Sequence, residues 1–111
     1  MIKSIDVKLI GQFNTQYGIR SFLLSDGREI ANDQSNIEFE NIVTQEGKHR
    51  EEWIIFKKEN LQFQVDEWHI NQDGTCDYTP YMNTRFNGSY YEYYKETHHI
   101  KNPQFKSFNY D

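Results

Sequence analysis

Trp53-Ile54-Ile55-Phe56-Lys57-Lys58-Glu59-Asn60-Leu61-Gln62-Phe63-Gln64-Val65-Asp66-Glu67-Trp68-His69-Ile70 is the stretch that decides the fold. Leu61, Phe63 and Val65 alternate with Gln62 and Gln64, the period of two that marks a strand with one face in a core. Trp68 and Ile70 continue the strand after a phase shift at Asp66-Glu67, the signature of a bulge. Glu59-Asn60 reads as a hairpin turn. The apolar run Trp53–Phe56 fits a strand buried on both faces. The charged residues around it also fit a short helix across 48–58, but the paired isoleucines favour strand.

The same signals extend outward. Asp73-Gly74 predicts a turn, and Cys76 to Tyr81 its return strand, which Pro80 confines to an edge or to its own end. Asn87-Gly88 reads as a tight hairpin turn with positive φ. Alternatively, Ser89 caps a helix with Glu92 completing a capping box; the tyrosines of 90–94 favour strand. Towards the N-terminus, Ile5, Val7 and Leu9 alternate with Asp6 and Lys8. Gly11 to Gly18 reads as a polar loop, Ile19 to Leu24 as a strand, and Asp26-Gly27 as its turn. Residues 31–36 are turn formers throughout, and Ile37 and Phe39 resume the alternation against Glu38 and Glu40. From Ile100 the chain reads as a tail blocked by Pro103, and at least one of its Phe105, Phe108 and Tyr110 is expected to dock on the sheet.

The predicted fold class is therefore mainly β, an antiparallel sheet of about six to eight short strands. An α+β variant with one short helix stays open. A length of 111 residues and 13.4 kDa predicts a single domain over 1–111, with 100–111 as its tail. One alanine and four leucines exclude a helical bundle. A mean hydropathy of −0.93 raises the question of disorder, yet eleven isoleucines and 16% aromatics describe a folded chain. The lone Cys76 excludes an internal disulfide framework. With no apolar run of signal-peptide or membrane-span length, the expected compartment is the cytoplasm.

The net charge is −5 and unevenly spread. Residues 1–84 carry −6 and residues 85–111 carry +1. Between 29 and 46 there are five acids and no Lys, Arg or His. Glu38 and Glu40 are expected on one strand face about 7 Å apart, a spacing that resembles successive phosphates of a nucleic-acid strand. Such a face, with Glu29 and Asp33 nearby, attracts a basic partner and speeds its capture. The plain alternative is a surface that keeps the chain soluble. The same sign argues against direct nucleic-acid binding, which relies on Lys and Arg.

No catalytic constellation stands out. His49, His69, His98 and His99 have no metal-ligand spacing, so neither metal nor cofactor is expected. Cys76 and His69 could face each other across a hairpin, but a buried structural thiol is the simpler reading. Glu51-Glu52 and Asp66-Glu67 read as solvated pairs. The expectation is a non-enzyme. The tyrosines are in surplus: Tyr78, Tyr81, Tyr91 and Tyr93 are candidates for a partner contact, because tyrosine is enriched in recognition hot spots.

The order Trp68-His69-Ile70, Asp73-Gly74, Asp77-Tyr78, then Tyr90 to Tyr94 and Lys95 resembles the C-terminal half of small bacterial immunity proteins of the YezG type. It covers about a quarter of the chain, and the N-terminal half departs from that family, whose members begin with a long helix. The resemblance implies an antitoxin that binds a nuclease toxin directly. The expected function is thus an acidic protein that binds and inhibits a basic partner, a toxin or another nucleic-acid enzyme. Glu29, Asp33, Glu38, Glu40, Tyr78, Tyr81, Tyr91 and Tyr93 are the expected contact residues. The alternative is a small-molecule or carbohydrate-binding β domain with an aromatic pocket lined by Trp53 and Trp68. Exposed strand edges leave a homodimer open.

Overall fold

The computed structural model describes residues 6–80 and 84–103. They form ten strands in chain order: β1 (Leu9–Thr15), β2 (Gly18–Leu24), β3 (Glu29–Ala31), β4 (Ile37–Thr44), β5 (His49–Phe56), β6 (Leu61–Ile70), β7 (Cys76–Thr79), β8 (Thr84–Asn87), β9 (Tyr90–Tyr93) and β10 (His98–Ile100). All pairings are antiparallel, and the fold is mainly β. The open helices at 48–58 and 89–99 are strands instead. Among the described residues the one helical feature is a short 3-10 turn at Gln45–Gly47.

The strands make two five-stranded sheets, in the orders β3-β2-β1-β9-β8 and β10-β7-β6-β5-β4. The chain divides into two compact units accordingly. The first runs to Asp33 and takes up Thr84–Tyr94; the second begins at Gln34, is interrupted by that insertion and resumes at Lys95.

In the first unit, the predicted loop at 11–18 is mostly strand. Gly11, Gln12 and Asn14 look loop-like, but each has a structural task. A Cβ at Gly11 would collide with the Tyr90 ring and the Tyr91 carbonyl, so the missing side chain lets β9 approach β1. Gln12 is buried, and the Tyr93 hydroxyl donates to its Oε1. The Tyr90 hydroxyl donates to the Ile10 carbonyl at 3.1 Å. The strand expected from Ile5 starts only at Leu9; Asp6–Lys8 are irregular and Ile5 lies outside the described residues. Phe22, Leu24 and Ile30 are the buried apolar side chains of this unit. The Asn87-Gly88 turn joins β8 to β9 with Gly88 at φ 67°, as a tight hairpin requires.

In the second unit, β5 and β6 pair along their full lengths through a turn where Asn60 sits at φ 55°. Asn tolerates this left-handed region better than most residues. The bulge exists, one residue before its expected place. Trp53 faces Gln64 and Glu52 faces Asp66, which leaves Val65 as the extra residue. The buried apolar side chains are Ile37, Ile54, Phe56, Ile70 and Cys76. Asn36 fixes the entry to β4: its carbonyl and Oδ1 accept from the Lys57 and Lys58 amides, and its Nδ2 donates to Glu59. β10 ends on Ile100, read as the start of a tail, and pairs with β7. The expected docking of Phe105, Phe108 and Tyr110 lies outside the described residues.

Candidate functional site

In an antiparallel sheet, directly opposed residues share a face, as do alternate residues of one strand. The register of the second sheet therefore collects carboxylates on one face: Glu38 and Glu40 on β4, Glu51 on β5, Glu67 on β6 and Asp77 on β7. Glu38 and Glu40 are exposed on the terminal strand, with Lys57 Nζ 3.7 Å from Glu38; Phe39 between them, expected to face inward, is exposed as well. Three of the four histidines join this face. His49, His69 and His99 lie in one row across β5, β6 and β10, with Asp77 of β7 between the last two. His99 Nδ1 is 2.7 Å from Asp77 Oδ1, and Asn71 donates to the other oxygen at 3.2 Å. The His99 hydrogen bond, with help from Asn71 and the nearby imidazoles, holds the Asp77 carboxyl below its ordinary range.

Beside that row, His49 Nε2 lies 3.0 Å from Glu67 Oε1 and 3.7 Å from Glu51 Oε1. Trp53 Nε1 donates to the other Glu51 oxygen at 3.0 Å. All three ionisable groups are half-buried. Sequence reasoning missed this cluster, because its members come from two strands and only the register joins them. The periodic signal was legible nonetheless: 49, 51 and 53 alternate on one strand.

The opposite face holds a different chemistry. Arg50 Nη2 donates to Asp66 Oδ2 at 2.8 Å, and Asp66 is only 4% exposed. The Asp66-Glu67 pair is therefore not solvated as expected: the bulge turns Asp66 inward beside Arg50. Burial pushes its carboxyl up to about 6 despite the pull of Arg50, and neighbouring Glu52 adds to the rise. Tyr78 shares this face and stacks on Trp68 with ring centroids 3.8 Å apart. It is thus not on the face of Glu38 and Glu40. Cys76 is fully buried, and burial raises its thiol pKa. Its side chain lies on the face away from His69, whose opposite residue is Asp77. A Cys76–His69 couple does not form across the turn.

The remaining expected contact residues belong to the first unit or lie outside the described residues. Glu29 and Asp33 are exposed but belong to the first unit, as do Tyr91 and Tyr93. Tyr91 packs on Phe86 at 5.1 Å between centroids, and Tyr93 is engaged with Gln12. Tyr81 lies outside the described residues. Among the described residues no helix is long and apolar enough to cross a membrane.

The fold and this face define an antiparallel β protein with an acidic sheet surface. Compared with known protein families, curated proteins and solved structures, the chain finds no match in any of the three.

Proposed function

We propose that this chain is an acidic binding protein that captures and inhibits a basic protein partner, in the manner of an immunity protein or antitoxin acting on a nuclease. The observation that carries the reading is the acidic face of the second sheet. Glu38 and Glu40 stand exposed on its terminal strand, and Glu51, Glu67 and Asp77 extend the same face inward. Carboxylates ordered on a rigid sheet steer a cationic partner and fix its register. The resemblance of residues 68–95 to YezG-type immunity proteins points the same way.

The test uses the tagged chain and its Glu38→Lys/Glu40→Lys double variant as baits in an extract of the native host. These exposed substitutions are expected to change stability by no more than about 0.5 kcal/mol. The wild-type bait enriches a basic protein whose nuclease activity it inhibits, and the variant loses that enrichment. In stopped-flow mixing at low salt, the variant associates at least about 10-fold more slowly and with a flatter salt dependence. Equal capture by both baits, or association rates that match at low salt, overturns the proposal.

A further inference from the structure

We infer that His49, Glu51 and Glu67 form a binding site for a divalent transition-metal ion of the zinc type, which shares two carboxylates with the acidic face proposed above. Among the described residues, one ligand atom from each of the three comes within 4.8 Å of the others. The separations of 3.0 and 3.7 Å from the imidazole nitrogen bracket the spacing of about 3.3 Å between ligands of a tetrahedral ion with bonds near 2.0–2.1 Å. Two carboxylates and one imidazole suit zinc, and three protein ligands leave a fourth position for water.

The register supplies a second argument. Glu51 and Glu67 are directly opposed across β5 and β6 on one face. Like charges placed this way destabilise a sheet. The imidazole of His49 already bridges the pair, 3.0 Å from Glu67 and 3.7 Å from Glu51, while the Arg50 side chain lies on the other face with Asp66. A dication between the two carboxylates turns that repulsion into coordination. Trp53 Nε1, fixed on Glu51, holds that carboxylate as an outer-shell donor does in metal sites. His69 flanks the site with its ring 5.6 Å from that of His49, edge to face.

The test is calorimetric titration of zinc chloride into the full chain after chelator treatment, at pH 7.5. The wild type binds one equivalent saturably, in the micromolar range or tighter. His49→Ala and Glu67→Gln each weaken binding by at least about 10-fold, and Trp53→Phe weakens it by about 10-fold. His98→Ala, on the opposite face, and His99→Ala, on the far strand, leave it unchanged. Glu67→Gln is nearly isosteric and removes a like-charge contact, so it folds without metal. Zinc raises the melting temperature of the wild type and leaves that of Glu67→Gln unchanged. No saturable binding up to millimolar zinc, full binding by Glu67→Gln or His49→Ala, or loss confined to His99→Ala each overturns the inference.

Discussion

The two sheets secure a central strand pair by different chemistry: β1 with the distant β9 in the first, and the β5–β6 hairpin in the second. Around β1 the first sheet uses neutral devices: a side chain withheld at Gly11, the Tyr93 hydroxyl on buried Gln12, and the Tyr90 hydroxyl on a backbone carbonyl. Between β5 and β6 the second sheet uses acidic and basic side chains, with Arg50 on Asp66 on one face and His49 between Glu51 and Glu67 on the other. Steric and neutral hydrogen-bond devices are indifferent to pH near neutrality. Charged ones are not. The β5–β6 pair therefore holds, in Asp66, a group that answers to pH.

The strongest challenge to that contrast is Arg50→Met. It leaves the buried Asp66 carboxylate without its cation, a change that costs about 3–5 kcal/mol. The folded pKa of Asp66, about 6, lies above its ordinary 3.8. Asp66 by itself therefore favours folding below pH 3.8, and that contribution is lost as pH rises through about 6. At pH 5 the folded carboxyl is largely protonated and needs no cation. The loss in Arg50→Met is thus expected to be large at pH 7.5 and clearly smaller at pH 5, measured by urea unfolding. Trp53 and Trp68 both lie in the second unit, so their fluorescence reports on it. A loss equal at both pH values breaks the contrast.

Gly11→Ala probes the first sheet. The added methyl meets the Tyr91 backbone carbonyl as well as the Tyr90 ring, so rotating a side chain does not relieve it. Overpacking of this kind costs about 1–3 kcal/mol. Tyr93→Phe is milder, at about 1 kcal/mol, for one hydrogen bond to a buried amide. Both losses should be the same at pH 5 and pH 7.5. Burial raises the Tyr90 hydroxyl above its ordinary pKa of 10, which keeps it neutral throughout. Amide exchange of β1 measures the two effects locally. A pH-dependent loss in either variant shows that charge reaches the first sheet too.

Much of the fold was legible because alternation and turn chemistry are local. Ile37 is buried as alternation predicts, Leu61 and Phe63 alternate as expected, and the turns at Asp26-Gly27, Asp73-Gly74 and Asn87-Gly88 lie where the sequence predicts them, whereas Phe39, expected inward, is exposed on the terminal strand. β1 was misread because its polarity answers to residues about 80 positions away. Gly11 and Gln12 look like loop residues until Tyr90 and Tyr93 are beside them. The acidic face was half legible. Glu38 and Glu40 share a strand, but Glu51, Glu67 and Asp77 join them only through register, and the bulge at Val65 shifts that register by one. The same shift places Glu67 beside His49 and sends Asp66 to the opposite face. No spacing rule in the sequence expresses such an arrangement. The tyrosine candidates divide between the units: Tyr78 stacks on Trp68 in the second, and Tyr91 and Tyr93 belong to the first.

The order of the segments constrains how the polypeptide matures on the ribosome. β1 and β2 emerge early, yet β1 lacks one neighbour until Tyr90–Tyr93 has been translated; β7 likewise waits for His98–Ile100. Each sheet is thus completed by a late segment, after most of the other has been synthesised. Pairings this distant along the chain belong to the millisecond-to-second class of folding. A nascent chain stalled before residue 90 would hold β1 with a bare flank, a natural docking point for a chaperone.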